Sequence, residues 1–102
     1  MIRHIVMWNY KNEFSEDENK KNAARVKEEL ESLRERIKEI ADLSVHINEL
    51  STSNMDVMLD SFFENEEALS AYKIHPEHQK AAAFIETVFQ NRVCFDYTCS
   101  NA

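Results

Sequence analysis

The stretch 56-DVMLDSFFENEEALSAYKIHPEHQ-79 decides the fold, because it joins a strand pattern directly to two helix starts. Residues 56–63 alternate between two faces that both carry apolar side chains, which predicts a β-strand. Asn65 suits the cap of a short helix that follows this strand. Pro76 suits the first position of a second helix, with His75 near its cap. A strand is therefore followed by a helical region in two pieces.

Outward from this stretch, four further elements have the periodicity of a strand or of an amphipathic helix. They are a strand over 2–10, a long helix over about 16–41 behind the capping box Ser15–Glu18, a strand over 43–48 and a last strand over 92–99. The order β-α-β-β-α-β predicts an α+β, ferredoxin-like fold, in which helices cover one face of a four-stranded antiparallel sheet. A chain of 102 residues is long enough for one domain, residues 1–102, and too short for two.

The sheet face away from the helices also carries apolar residues. We assume that Trp8, Leu59 and Phe95 face the helices, which leaves another set on the opposite face. That set is Ile5, Met7, Met58, Phe62 and Cys94. Because an exposed apolar face marks an interface, the sequence predicts a homodimer joined sheet to sheet through Ile5, Met7, Met58 and Phe62.

The composition excludes several functions. The net charge is −7, and glutamates interleave the basic residues between Lys20 and Lys38, so we expect no nucleic-acid partner. The chain has no glycine, which excludes Gly-rich phosphate loops and dinucleotide fingerprints, and no cofactor is predicted. Apolar runs are far shorter than the ~20 residues of a membrane helix, and the N-terminus lacks a signal-peptide layout. We therefore expect a cytoplasmic protein with no membrane partner.

Cys94 and Cys99 lie five residues apart on the last predicted strand, which puts them on opposite faces. Five strand residues span about 16 Å, whereas a disulfide needs Cα atoms within ~7 Å. Both cysteines are therefore predicted to be free thiols.

His78 begins the row of residues that the last helix turns toward the sheet. The positive end of the helix dipole disfavours an imidazolium there, so His78 should be neutral and able to accept a proton. Tyr72, at the end of the short helix, could reach the same corner. We expect the two side chains to converge on one cavity and to hydrogen-bond directly or through one water. No metal site is predicted, because His75 and His78 have no evident cysteine or carboxylate to complete a tetrahedral set.

Three segments carry a family resemblance: MIRHIVMW at 1–8, FFENEEALSAYKIHPEHQ at 62–79 and RVCFDYT at 92–98. Together they resemble the stress-responsive A/B barrel family, also called the Dabb domain. The resemblance covers nearly the whole chain and implies a dimeric α+β barrel of two ferredoxin-like subunits. Family members include proteins of unassigned role and a plant polyketide cyclase. The resemblance implies catalytic roles for the positions of Tyr72 and His78, and a pocket-lining role for His4.

Two functional hypotheses remain open at this stage, and whether the protein is an enzyme is not decided. One is a homodimer of unassigned chemistry that binds a small apolar or carbonyl-containing ligand in a pocket with His4, Trp8 and His75. The other is a cofactor-independent, cyclase-like enzyme in which His78 removes a proton and Tyr72 stabilises the developing oxyanion. Each polar residue also has a purely structural alternative, as a satisfied core side chain or, for His75, as a helix cap.

Overall fold

The computed structural model describes residues 1–100, two residues fewer than the predicted domain, since 101 and 102 lie outside the described range. The elements in chain order are β1 Ile2–Tyr10, α1 Glu16–Ser32, β2 Ile40–Ile47, β3 Val57–Phe63, α2 Glu66–Ile74, α3 Pro76–Val88 and β4 Phe89–Thr98. The strands form one sheet in the order β2-β3-β1-β4, and every neighbouring pair is antiparallel. The predicted α+β, ferredoxin-like fold is confirmed.

The first helix ends earlier than its apolar spacing predicted. α1 stops at Ser32, a short 3-10 turn covers Leu33–Glu35, and β2 begins at Ile40. The stripe residues beyond Ser32 are nevertheless buried, with Leu33 and Ile37 at 1% and 0% exposure. The apolar spacing therefore predicted correctly which side chains are buried, but burial of these side chains does not require a helical backbone. The last helix likewise ends at Val88 and not near residue 90.

The predicted helix caps are confirmed, and they fix the entry of the helices that carry the site. The Ser15 hydroxyl accepts from the backbone N–H of Glu18 at 3.2 Å, and the Glu18 carboxylate accepts in return from the backbone N–H of Ser15. The Asn65 side chain accepts from the backbone of Ala68 at 2.9 Å at the start of α2. His75 caps α3, since its Nδ1 accepts from the N–H of Glu77 at 3.1 Å. Each cap satisfies a donor that the first turn of a helix leaves free.

Strand β4 does not follow the alternation assumed from the sequence. Tyr10 pairs with Phe89 and Met7 pairs with Val93, so β4 has one more residue than β1 between these two pairs. Asn91 sits within this bulge with a φ of 56°, the left-handed conformation that glycine would otherwise supply. Because side chains alternate along a strand, one extra residue exchanges the two faces beyond it.

Because of the bulge, the predicted faces of β4 are wrong for the residues that follow it. Cys94 pairs with Val6 and therefore faces the helices, whereas it was predicted on the outer face. Phe95 pairs with Ile5 on the outer face and is 66% exposed, whereas it was predicted to face the helices. Both cysteines are free thiols, as predicted.

The outer face of the sheet carries the four residues predicted for the interface. Ile5, Met7, Met58 and Phe62 are all half-buried there. A polar network crosses the same face, where the Arg3 guanidinium donates to both carboxylate oxygens of Asp60 at 2.8 and 2.7 Å. Over residues 1–100, none of the helices combines the length and the apolar character that a membrane span requires.

Candidate functional site

A cavity of about 120 Å³ lies between the sheet and helix α3. Its walls are largely apolar and include Val6, Trp8, Leu59 and Ile85. Three polar rings also line it, those of His4, Tyr72 and His78, and the exposed Glu86 and Arg92 lie at its rim. An apolar cavity with a few convergent polar groups has the composition typical of a small-molecule site.

Tyr72 lies at the bottom of this site, fully buried on helix α2. Its ring packs between Phe63, with centroids 4.9 Å apart, and His78, with centroids 4.3 Å apart. Within residues 1–100, its buried hydroxyl has no hydrogen-bond partner. Burial raises the pKa of Tyr72 well above its ordinary value, so the hydroxyl keeps its proton and can act as a donor.

His78, in the first turn of α3, is held by the carbonyl oxygen of Lys73, 3.0 Å from its Nδ1. A carbonyl only accepts, so Nδ1 carries the proton and Nε2 of the neutral ring is the acceptor. Burial lowers the pKa of His78, and the hydrogen bond to Lys73 opposes this only in part. The neutral form expected from the sequence is therefore favoured near neutral pH.

His4, on β1, repeats this arrangement with a carboxylate in place of the carbonyl. Its ring is 3% exposed, and its Nδ1 is hydrogen-bonded to Asp96 on the neighbouring strand β4. Partial burial works to raise the pKa of Asp96, but the hydrogen bonds from His4 and Cys94 and the nearby positive charges outweigh burial and keep that pKa low. An ionised carboxylate only accepts, so His4 also carries its proton on Nδ1. Burial lowers the pKa of His4, which leaves Nε2 as an acceptor.

The structure thus brings four of the predicted site residues together: His4, Trp8, Tyr72 and His78 all line the one cavity. His75 is not among these four residues, because it caps α3 and lies beside a separate surface depression. Tyr72 and His78 converge on the cavity as expected, but their rings pack against each other without a direct hydrogen bond, and Nδ1 of His78 bonds to Lys73 instead. The alternative of a hydrogen bond through one water stays a prediction.

The sequence reasoning missed two residues of the site, Cys94 and Asp96. Cys94 Sγ lies 3.8 Å from Nδ1 of His4 and 3.5 Å from Oδ1 of Asp96. Within residues 1–100, these three are the one group of three side chains arranged so that they could hold a metal ion. The sequence feature that could have revealed them is their spacing of two residues, which puts both on one face of a strand that pairs with the strand of His4. It was hidden because the bulge at Asn91 had not been anticipated.

Residues 2–99 match the model of the family described as the stress responsive A/B barrel domain, Dabb. The chain belongs to the Dabb family. No curated protein matches this Dabb domain. The resemblance drawn from the sequence is confirmed, and so is the ferredoxin-like fold that it implied for the subunit.

Several solved structures share the fold of this Dabb domain. A dimeric protein of unknown function from Bacteroides fragilis NCTC 9343 is 27% identical with a TM-score of 0.88, covering 94% of this chain and 93% of that one. A dimeric ferredoxin-like protein from Thermobifida fusca YX is 24% identical with a TM-score of 0.81, covering 96% and 90%. The hydroxynitrile lyase from Passiflora edulis is 15% identical with a TM-score of 0.81, covering 99% and 94%. At such low identity, the last two show the fold alone.

Proposed function

We propose that this Dabb domain binds a small, mainly apolar molecule that carries a carbonyl oxygen. The observation that carries the proposal is the Tyr72 hydroxyl, which is buried at the cavity without a partner among residues 1–100. A buried donor left unpaired costs about 1–3 kcal/mol, and a ligand oxygen that accepts from it recovers this free energy. The apolar walls supply the rest of the affinity by excluding water from the ligand.

The size of the cavity limits the ligand. Its volume of about 120 Å³ is somewhat below the ~150 Å³ of an engineered protein cavity that binds benzene. Drug-sized ligands occupy pockets of about 300–1,000 Å³. The part of the ligand that enters the cavity is therefore no larger than about one six-membered ring.

Matched ligands test this binding function. Cyclohexanone and methylcyclohexane have the same number of heavy atoms, but only the ketone can accept from Tyr72. We expect amide chemical-shift changes around the cavity on titration with cyclohexanone. Because methylcyclohexane is the more hydrophobic ligand, the quantity measured is the ratio of ketone to hydrocarbon affinity, which Tyr72→Phe should lower while the cavity remains. A ratio that is the same in the natural chain and in Tyr72→Phe would refute the proposal.

A second candidate function is proton transfer next to a carbonyl, which the two histidine tautomers favour. His78 has its proton fixed on Nδ1 by Lys73, and His4 has its own fixed by Asp96. Nε2 of His78 can then take a proton from the carbon beside the ligand carbonyl, while Tyr72 donates a hydrogen bond to the developing enolate oxygen. One structural neighbour of the same fold is a hydroxynitrile lyase, so the fold is compatible with enzyme chemistry.

Hydrogen exchange in D₂O measures this second function without a product. Cyclohexanone should exchange its α-hydrogens faster in the presence of the protein than in buffer. His78→Asn should remove the acceleration, and Tyr72→Phe should reduce it by about 10²–10³-fold, as for a lost oxyanion donor. If cyclohexanone binds but does not exchange, the binding function stands and the catalytic one fails.

We further propose a homodimer formed by the outer face of the sheet. Several proteins of similar structure are described as dimeric, which supports a dimer. Phe95 and Val93 are 66% and 50% exposed on this face, which adds two apolar residues to the predicted interface. The charge of Arg3 is no obstacle, because both oxygens of Asp60 already accept from it. Phe62→Glu should raise the dissociation constant of the dimer, whereas Ala24→Glu on the exposed face of α1 should not. Sedimentation that gives a monomer for the natural chain would contradict this proposal.

A further inference from the structure

The cluster of His4, Cys94 and Asp96 lies beside the cavity and has a donor set unlike the rest of the site. It offers one imidazole nitrogen, one sulfur and one carboxylate oxygen, all within 4.8 Å of one another. His4 is on β1, and the other two are on β4, so a rigid pair of hydrogen-bonded strands fixes all three. Cys94 and Asp96 are exposed, which leaves an open approach from solvent.

The distances match those of a tetrahedral zinc site along two of three edges. Zn–S bonds of ~2.3 Å and Zn–N and Zn–O bonds of ~2.0–2.1 Å place sulfur about 3.5 Å from each of the other ligand atoms. Cys94 Sγ lies 3.8 Å from Nδ1 of His4 and 3.5 Å from Oδ1 of Asp96. His4 and Asp96 are in direct hydrogen bond, so a metal must replace the proton between them and widen this edge to ~3.3 Å.

The charges and ligand types favour zinc over the hard cations. Calcium and magnesium require oxygen ligands, whereas thiolate and imidazole suit zinc. One thiolate and one carboxylate neutralise the two positive charges of the ion. Lys73 lies 4.0 Å from the other oxygen of Asp96, Oδ2, so Oδ1 remains the oxygen that faces Cys94.

We propose that His4, Cys94 and Asp96 form a binding site for a divalent transition metal, foremost zinc, with water in the fourth position. On binding, the thiol proton of Cys94 leaves to solvent, and the proton on Nδ1 of His4 moves to Nε2. Three protein ligands with one open position is the arrangement of catalytic and exchangeable zinc sites. The metal site shares His4 with the proposed ligand cavity, but it needs no ligand there and exists whether or not that cavity binds a ketone.

Metal occupancy would change what His4 offers to the cavity. Without metal, Asp96 holds the proton on Nδ1, and Nε2 is an acceptor. With metal on Nδ1, Nε2 carries the proton and becomes a donor. The metal therefore switches one wall of the cavity between a site that accepts a hydrogen bond and one that donates it.

Cobalt titration of the full chain tests the site, because Co²⁺ replaces Zn²⁺ and its bond to thiolate gives a charge-transfer absorption in the near ultraviolet. We expect one Co²⁺ per chain, this absorption band, and its loss when Zn²⁺ is added. Cys94→Ser should abolish the band. Loss of a residue that only hydrogen-bonds to a metal ligand weakens metal binding by roughly 10–100-fold. Asp96 is a proposed ligand itself, so Asp96→Asn should weaken Zn²⁺ binding by at least this factor.

Cys99→Ser is the matched control, because Cys99 is the other free thiol and lies outside the cluster. The band and the affinity should be unchanged in this variant. Absence of the band in the natural chain would overturn the proposal, as would a band that persists in Cys94→Ser or disappears in Cys99→Ser. Cys94 is exposed, so its replacement by serine leaves the core intact.

Discussion

Strand β1 keeps one regular alternation from Ile2 to Tyr10, whereas its neighbour β4 exchanges its two faces at the bulge around Asn91. Before the bulge, β4 contributes Phe89 to the core. After it, Cys94 and Asp96 face the helices, and Val93, Phe95 and Tyr97 face outward. One residue of left-handed backbone thus decides which face each set takes, so that the polar set lies beside His4 and the apolar set lies on the proposed interface. The site and the interface depend on the same irregularity.

Removing the bulge should abolish this difference between the strands and should have the largest effect on the free energy of unfolding. Deletion of Asn91 would restore simple alternation and turn Asp96 away from His4. The loss of a charge-assisted hydrogen bond, with a buried nitrogen left unpaired, should lower the free energy of unfolding by about 3 kcal/mol or more. Urea unfolding followed by circular dichroism measures this. A deletion variant as stable as the natural chain would show that β4 does not need its bulge.

Substitution at the same position probes the backbone without changing the register. A valine at φ 56° carries the left-handed penalty, so Asn91→Val should lose about 1–2 kcal/mol of unfolding free energy. Asn91→Gly is the control and should lose little, because glycine adopts this conformation readily. If both variants unfold at the same urea concentration, Asn91 does not hold a strained conformation in solution.

The comparison between the site and the outer face of β4 extends to two tyrosines, because Tyr72 lies at the site and Tyr97 lies on that outer face. Tyr97 accepts a hydrogen bond of 2.7 Å from Arg3, whereas the Tyr72 hydroxyl has no partner among residues 1–100. Tyr97→Phe should therefore cost about 0.5–1.5 kcal/mol, and Tyr72→Phe should be neutral or stabilising. Thermal unfolding of the two variants would decide the matter. A large loss for Tyr72→Phe would mean that its hydroxyl has a partner in the free protein.

The smallest expected effect is the pH dependence that His78 contributes. Its pKa in the folded protein is lowered from 6.5 by burial, so the unfolded chain binds more protons over the interval between the two values. The contribution is fully present above pH 6.5 and is lost as the pH falls through the lower, folded value. His78→Gln should reduce the loss of stability between pH 7 and 5 but not remove it, because burial also lowers the pKa of His4. A variant that follows the natural chain throughout this range would contradict the assignment.

Much of the fold was predictable because the apolar residues of regular strands and helices recur with a fixed spacing along the sequence. Local sequence rules that tertiary contacts did not override account for the alternation of β1, for the row of residues that begins at His78, and for the caps Ser15, Asn65 and His75. The convergence of Tyr72 and His78 on one corner was predicted from that row and from the end of the short helix at Tyr72. Asp96 could not be placed, because a bulge is specified by a single residue in a chain where asparagine replaces glycine at the left-handed position. The end of α1 was also missed, since Leu33, Ile37 and Ile40 keep helical spacing while the backbone leaves the helix.

The tautomers of His4 and His78 test the central claim most directly, namely that β4 and the helices fix both rings for proton acceptance at Nε2. Long-range ¹⁵N–¹H correlation spectra of the metal-free protein at neutral pH report which nitrogen carries the proton in each ring. We predict neutral rings protonated on Nδ1 for both residues, and we expect Asp96→Asn to disturb His4 but not His78. Protonation on Nε2, or a charged imidazolium at neutral pH, in either ring of the natural chain would contradict the claim.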